Sequence, residues 1–238
     1  MQPRVSLRRK RAVPKRTALL TGGIDMKWLR AALGSSVGKK LMMALTGLAF
    51  IGFLAAHLAG NLTIYGGKAA FNGYAEKLQS LGALLNLFRA GLITLALVHV
   101  LTGLYLFLLN RKARPVGYST YASAGGRTLS SRTMPYTGIV ILAFVVYHLF
   151  NFTFVDKSAT TVFDMVAAAF NRPPVMLLYA AMMIVVALHV RHGFWSAFQT
   201  LGVNHPQWMP AVMAASIVAG VIVALGFGLL PLVVALRY

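Results

Sequence analysis

The chain has 238 residues, 58% of them hydrophobic and 11% charged, with a formal net charge of +19. Apolar runs of membrane-spanning length exclude an ordinary soluble domain. The lack of cysteine excludes a C-x-x-C-H haem attachment, a cysteine-held iron–sulfur cluster and a disulfide framework.

The first element is a basic segment, 1–40, which carries eleven of the Lys/Arg residues and has no apolar core of signal-peptide length. It reads as a cytoplasmic tail. Met26-Lys27-Trp28-Leu29 would make a plausible start, so residues 1–25 are expected to be an extension. Five apolar segments follow, at 41–62, 84–109, 134–155, 175–198 and 211–236, and together they predict an all-α, five-helix integral membrane bundle over 41–236. The connection between the second and third segments holds Arg111, Lys112, Arg114, Arg127 and Arg132. The first and third connections hold far fewer cations. This asymmetry predicts a cytoplasmic N-terminus, an outside C-terminus and a multi-pass protein of the cytoplasmic membrane. It also accounts for the net charge without nucleic acid as a partner.

Four histidines lie inside the first four apolar segments in two evenly spaced pairs. His57 precedes His148 by 91 residues, and His99 precedes His189 by 90. Met43, Thr46, Gly47, His57 and Leu58 recur at the same offsets as Met134, Thr137, Gly138, His148 and Leu149, while Gly103 and Gly193 each stand four residues past the second histidine. The chain thus reads as a diverged tandem repeat of two helices, doubled, plus a fifth helix outside the repeat.

Imidazole is costly to place in lipid and is a preferred axial ligand of iron, so matched pairs point to two metal centres between helices. Counting from Lys40 and Arg132 at ~1.5 Å per residue puts His57 and His148 at one depth. Counting from Arg111 and Gln199 puts His99 and His189 at another, roughly 8 to 10 Å closer to the cytoplasm on the same rise. Each pair can then supply both axial ligands of a non-covalent haem b. Gly47, Gly103, Gly138 and Gly193 would leave room beside a macrocycle, although glycine also serves close helix packing. His192 lies one turn from His189 and, with Arg191, is expected to meet a haem propionate or water. His205 reads as a solvated loop residue.

The motifs carry a resemblance. Ser35-Ser36-Val37-Gly38-Lys39-Lys40, then Met43-Ala44-Leu45-Thr46-Gly47 and His57-Leu58-Ala59-Gly60-Asn61-Leu62, resemble the cytochrome b558 subunit of succinate dehydrogenase or fumarate reductase. So do Asn110-Arg111-Lys112-Ala113-Arg114-Pro115-Val116-Gly117-Tyr118 and His192-Gly193-Phe194-Trp195-Ser196-Ala197-Phe198-Gln199-Thr200-Leu201-Gly202. The resemblance covers most of the chain. It implies a five-helix membrane anchor holding two haems b, docked to a flavoprotein subunit and an iron–sulfur subunit, and passing electrons from succinate to menaquinone.

By the same resemblance, Glu76 is the expected group for quinone protonation, with Asn61 and Tyr65 as hydrogen-bond donors. The partner subunits would dock on 28–40 and 111–132, with Ser36, Arg127 and Arg132 touching them or a haem propionate. The fifth segment lacks the acidic residue that some such anchors carry there, which leaves that proton route unsupported. Two rival readings are a haem b anchor for another quinone-linked dehydrogenase and a proton-coupled transporter whose histidines relay protons.

Overall fold

The computed structural model describes residues 26–113 and 129–238. Residues 1–25 and Arg127, and the Arg132 side chain, lie outside the description. The regular structure of the described residues is all helical, with no strand. In chain order they form α1 (Met26–Gly34), α2 (Ser36–Leu62), a 3-10 turn (Thr63–Gly66), α3 (Gly67–Gln79), α4 (Ala83–Lys112), α5 (Leu129–Phe152), α6 (Val162–Phe170), α7 (Pro173–Thr200) and α8 (Met209–Arg237). Five helices are long and apolar enough to cross a membrane: α2, α4, α5, α7 and α8. This is the composition of a multi-pass membrane protein.

Local chemistry sets the helix limits. Ser35 caps α2: its backbone is extended and its hydroxyl accepts the Gly38 N–H at 3.0 Å. The side-chain oxygen of Thr161 accepts the Asp164 N–H in the same way at α6. Proline opens α7 and α8, where its missing N–H costs nothing. Gly67 and Gly82, at φ 85° and 53°, bracket α3 in conformations that side-chain-bearing residues rarely adopt. Lys39 and Lys40, expected at the end of a tail, lie inside the first turns of α2.

The long helices alternate in direction. α2 packs on α4 and α7, and α5 packs on α7 and more lightly on α4, which closes a four-helix ring. α2 and α5 are therefore diagonal, as are α4 and α7. The fifth spanning helix, α8, lies outside this ring against α7 and α2. Small residues let it approach: a Cβ on Gly220 would stand 3.2 Å from the Ala187 carbonyl oxygen, and one on Gly228 3.5 Å from the Met183 Cβ.

The two short helices α3 and α6, which fill the first and third connections, meet at one end of the bundle. There Ile64, Phe71, Phe163, Val166, Phe170, Tyr179, Leu230 and Val234 form the larger buried cluster. α1 lies at the opposite end. α4 and the spanning part of α5 have no buried residue. Their outward rows, such as Leu87, Ile93, Leu97 and Leu101, suit a solvent of lipid tails.

Candidate functional site

The ring of four helices brings the two pairs of histidines to its interior from opposite corners. His57 stands on α2 and His148 on the diagonal α5, with ring centroids 6.0 Å apart and planes 86° to one another. Two imidazoles on opposite sides of one metal would have centroids about 6 Å apart, given metal–nitrogen bonds of about 2 Å. The separation therefore fits a shared metal, and planes crossed by this angle are compatible with a common bond axis. Phe53 stacks on His57 at 5.3 Å, and Phe227 of α8 approaches it at 5.7 Å.

His99 and His189, on the diagonal α4 and α7, are not in ring contact. Each is instead tied to a threonine on a neighbouring helix. Thr46 Oγ1 lies 3.0 Å from His99 Nδ1, and Thr137 Oγ1 lies 3.1 Å from His189 Nδ1. Each threonine also has a carbonyl of its own helix within reach. The Thr46 hydroxyl donates to the Met42 carbonyl at 2.7 Å, and the Thr137 hydroxyl donates to the Met134 carbonyl at 3.0 Å. While its one proton lies on that carbonyl, each oxygen can only accept, and its partner is then an imidazole Nδ1–H. The neutral tautomer that remains has a bare lone pair on Nε2, the form in which imidazole ligates a metal.

The glycines repeat the same pattern. A Cβ on Gly47 would lie 3.6 Å from His99 Cε1, and one on Gly138 3.5 Å from His189 Cε1. A Cβ on Gly103 would lie 3.5 Å from the Met43 methyl, and one on Gly193 3.6 Å from the Met134 methyl. These are ordinary contact distances, so the glycines leave the imidazole edges free without being forced by a collision.

One expectation is corrected. His99 sits beside Thr46 and Gly47, and Gly47 precedes His57 by ten residues on α2. At 1.5 Å per residue the two levels are about 15 Å apart, not 8 to 10 Å. The cause is a mistaken ruler. The Lys39 ammonium lies over the Tyr105 ring at 4.9 Å, so α4 runs on to Arg111 well past the start of α2. Lys40 and Arg111 are not level anchors.

Near the His189 level, two polar groups lack partners among the described residues. Arg191 is half-buried with no ion pair or hydrogen bond, and His192 Nδ1 is buried with no hydrogen bond. The His192 ring meets Trp195 edge-on at 5.2 Å. A buried orphan nitrogen is costly and calls for an acceptor or donor. Among the described residues, no three His, Asp or Glu side chains gather round a point, so each site offers two imidazoles.

Glu76, Asn61 and Tyr65 all lie toward the α3/α6 end, the end of the His57/His148 pair. Glu76 is on α3 and exposed, and its carboxylate has no partner among the described residues. Asn61 Nδ2 donates to the His57 carbonyl at 2.7 Å and lies 3.4 Å from both ring nitrogens. Tyr65 is exposed on the 3-10 turn. The structure gathers only Asn61 against a histidine. Ser36 opens α2, exposed beside the Ser35 cap.

Two pairs of side chains that touch the histidines or their neighbours escape a reading of the sequence. Thr46 and Thr137 are visible there as repeat positions, but their role as imidazole partners needs the register between helices. Asn151 and Tyr179 form a hydrogen bond of 3.1 Å beside His148. Only the placing of Asn151 three residues after His148, on the same helical face, hints at it. Comparison with protein-family models, curated proteins and solved structures returns no match, so the reading of this site rests on the residues themselves.

Proposed function

We propose that this chain is the cytochrome b membrane anchor of a succinate:quinone oxidoreductase, with two haems b in its four-helix ring. The observation that carries this reading is the doubled Thr–His arrangement. In each half a threonine hydroxyl is within hydrogen-bond reach of Nδ1 and can hold the Nδ1–H tautomer that leaves Nε2 free, while the remaining histidines stand at a spacing that suits a shared metal. His57 and His148 would hold one haem, and His99 and His189 the other. When bound, the haems supply one-electron transfer along the bundle.

The residues of the chain have separate tasks in this scheme. Thr46 and Thr137 keep their imidazoles in one tautomer and orientation. Arg191 and His192, unpartnered beside His189, suit the propionates of the inner haem. Phe53 and Phe227 exclude water from His57. The second amide hydrogen of Asn61 and the Tyr65 phenol would orient a quinone at the α3/α6 end, and the exposed Glu76 carboxylate would pass protons to it. The succinate motifs of the sequence favour this anchor over that of another quinone-linked dehydrogenase. They also imply flavoprotein and iron–sulfur partners at the α1 end, which the charge asymmetry makes the cytoplasmic side. Menaquinone is the quinone the resemblance favours, and duplication of a two-helix unit accounts for the matched halves.

The test is a dithionite-reduced minus oxidised spectrum with haem quantification on detergent-purified protein. The expected result is two haems b per chain, with loss of the same spectral component in His57→Ala and His148→Ala, and of the other in His99→Ala and His189→Ala. A folded, colourless protein would end the cytochrome reading. Loss in any other pairing would overturn the ligand assignment.

A further inference from the structure

His148 is held differently from its three counterparts. His99 and His189 each have a threonine, and His57 has the Asn61 amide within 3.4 Å. No hydrogen bond reaches the His148 ring among the described residues. Its surroundings are aromatic: Phe152 at 5.3 Å and Phe144 at 6.3 Å, each one turn away on α5, and Tyr179 of α7 at 6.0 Å.

Tyr179 is itself fixed. It is 5% exposed and lies between Phe144, Phe170 and Phe152 at 4.9, 5.3 and 5.7 Å. Its hydroxyl accepts a hydrogen bond from Asn151 Nδ2 at 3.1 Å. The amide that anchors the phenol is thus carried on α5 three residues from the imidazole. Because the tyrosine is enclosed on all sides, it is placed to position a neighbour rather than to touch a substrate.

We propose that Tyr179, anchored by Asn151, is the positioning residue that sets the plane of the His148 imidazole and so the crossed arrangement of the His57/His148 pair. The torsion that turns an imidazole about its Cβ–Cγ bond is soft, so an imidazole without a hydrogen bond takes the plane its packing allows. Here the rings contributed from outside α5 are that of His57, the other member of the pair, and that of the tyrosine. The proposal rests on the di-haem reading and deepens it. Crossed axial imidazoles give low-spin ferric haem a strongly anisotropic electron paramagnetic resonance signal, and parallel ones a rhombic signal.

The experiment is that spectrum on oxidised, haem-loaded full-length protein, with the outer signal assigned by its loss in His148→Ala. Wild type is expected to give a strongly anisotropic outer signal. Tyr179→Leu and Asn151→Leu should shift it toward the rhombic form with haem content and the inner signal retained, and Tyr179→Phe should produce a smaller shift in the same direction. An outer signal that is rhombic in wild type, or unmoved in these variants, overturns the positioning role while leaving the di-haem reading intact. Wild type without haem removes both. Should Tyr179→Leu lose its haem, Tyr179→Phe and Asn151→Leu decide, and an unmoved signal in both sinks the proposal.

Discussion

Thr46 and Thr137 act on histidines of another helix while bonded to their own. Each hydroxyl has a carbonyl one turn back for its proton, at Met42 and at Met134, which frees its oxygen to accept from an imidazole. Threonine to valine keeps the shape and removes the acceptor, which leaves a buried Nδ1–H unpaired at a cost of about 1–3 kcal/mol. With a haem held by His99 and His189 as proposed, Thr46→Val and Thr137→Val are each expected to weaken its binding about 10- to 100-fold, the usual effect of losing such an outer partner. Serine at either position should restore it. Haem titration of the stripped protein, followed by the inner spectral component, measures this; equal affinity for valine and threonine would remove the tautomer argument. The histidines themselves are legible in the sequence, because a charge-capable ring in an apolar run stands out and its repeat spacing is countable. The threonines are not, since a threonine in an apolar helix bonds its own backbone whether or not a histidine faces it.

At the scale of elements, α8 is fitted to the ring by glycine. A Cβ on Gly226 would lie 2.7 Å from Leu58 Cδ2 and 3.0 Å from its Cδ1. Leu58 is buried and follows His57 directly, so it has little room to turn. Gly226→Val should cost about 1–3 kcal/mol as an overpacking change. It should lower the thermal midpoint and perturb the outer spectral component. Added Leu58→Ala should recover part of the loss, because the two changes share one contact and their effects will not add. Gly91→Val is the control, for nothing lies within 4 Å of a Cβ there. Melting curves of wild type and the three variants test this, and equal midpoints for Gly226→Val and Gly91→Val would show that α8 does not depend on the close approach. The five long helices were legible from hydropathy alone. The helices α3 and α6 were not: α3 is polar on average and opens on two glycines, and α6 has only nine residues. The level of His99 was misread for a related reason, because charged residues mark where a chain leaves the apolar region but not how far each helix projects beyond it.

The molecule as a whole is tied together at one end. α3 and α6 come from opposite halves of the chain, yet Asn72 Oδ1 accepts the Phe163 N–H at 3.0 Å, Phe71 meets Phe163 edge-on, and Phe163 meets Tyr238 at 4.9 Å. The Tyr238 hydroxyl reaches the Ile64 carbonyl at 3.4 Å, which brings the last residue of the chain into the same knot. Lys68 closes it from outside, with both Asp164 oxygens within 2.8 Å of its ammonium. The Lys68 hydrogen bonds, with a second from the Thr161 hydroxyl, hold the Asp164 carboxyl below the ordinary carboxylate range. A carboxyl depressed in the folded state stabilises that state above its unfolded pKa, about 3.9, and the contribution is lost as pH falls through the folded value. The pair is half exposed, so salt should weaken it as well. Asp164→Asn should therefore melt below wild type at neutral pH and low salt. That gap should narrow in high salt and close in acid, where the wild-type carboxyl is also uncharged, and Lys68→Met should follow the same course. Thermal midpoints of the three proteins across pH decide it: a gap that persists unchanged below the carboxylate range would assign the loss to the α6 cap, through Thr161, rather than to the ion pair that joins the two halves.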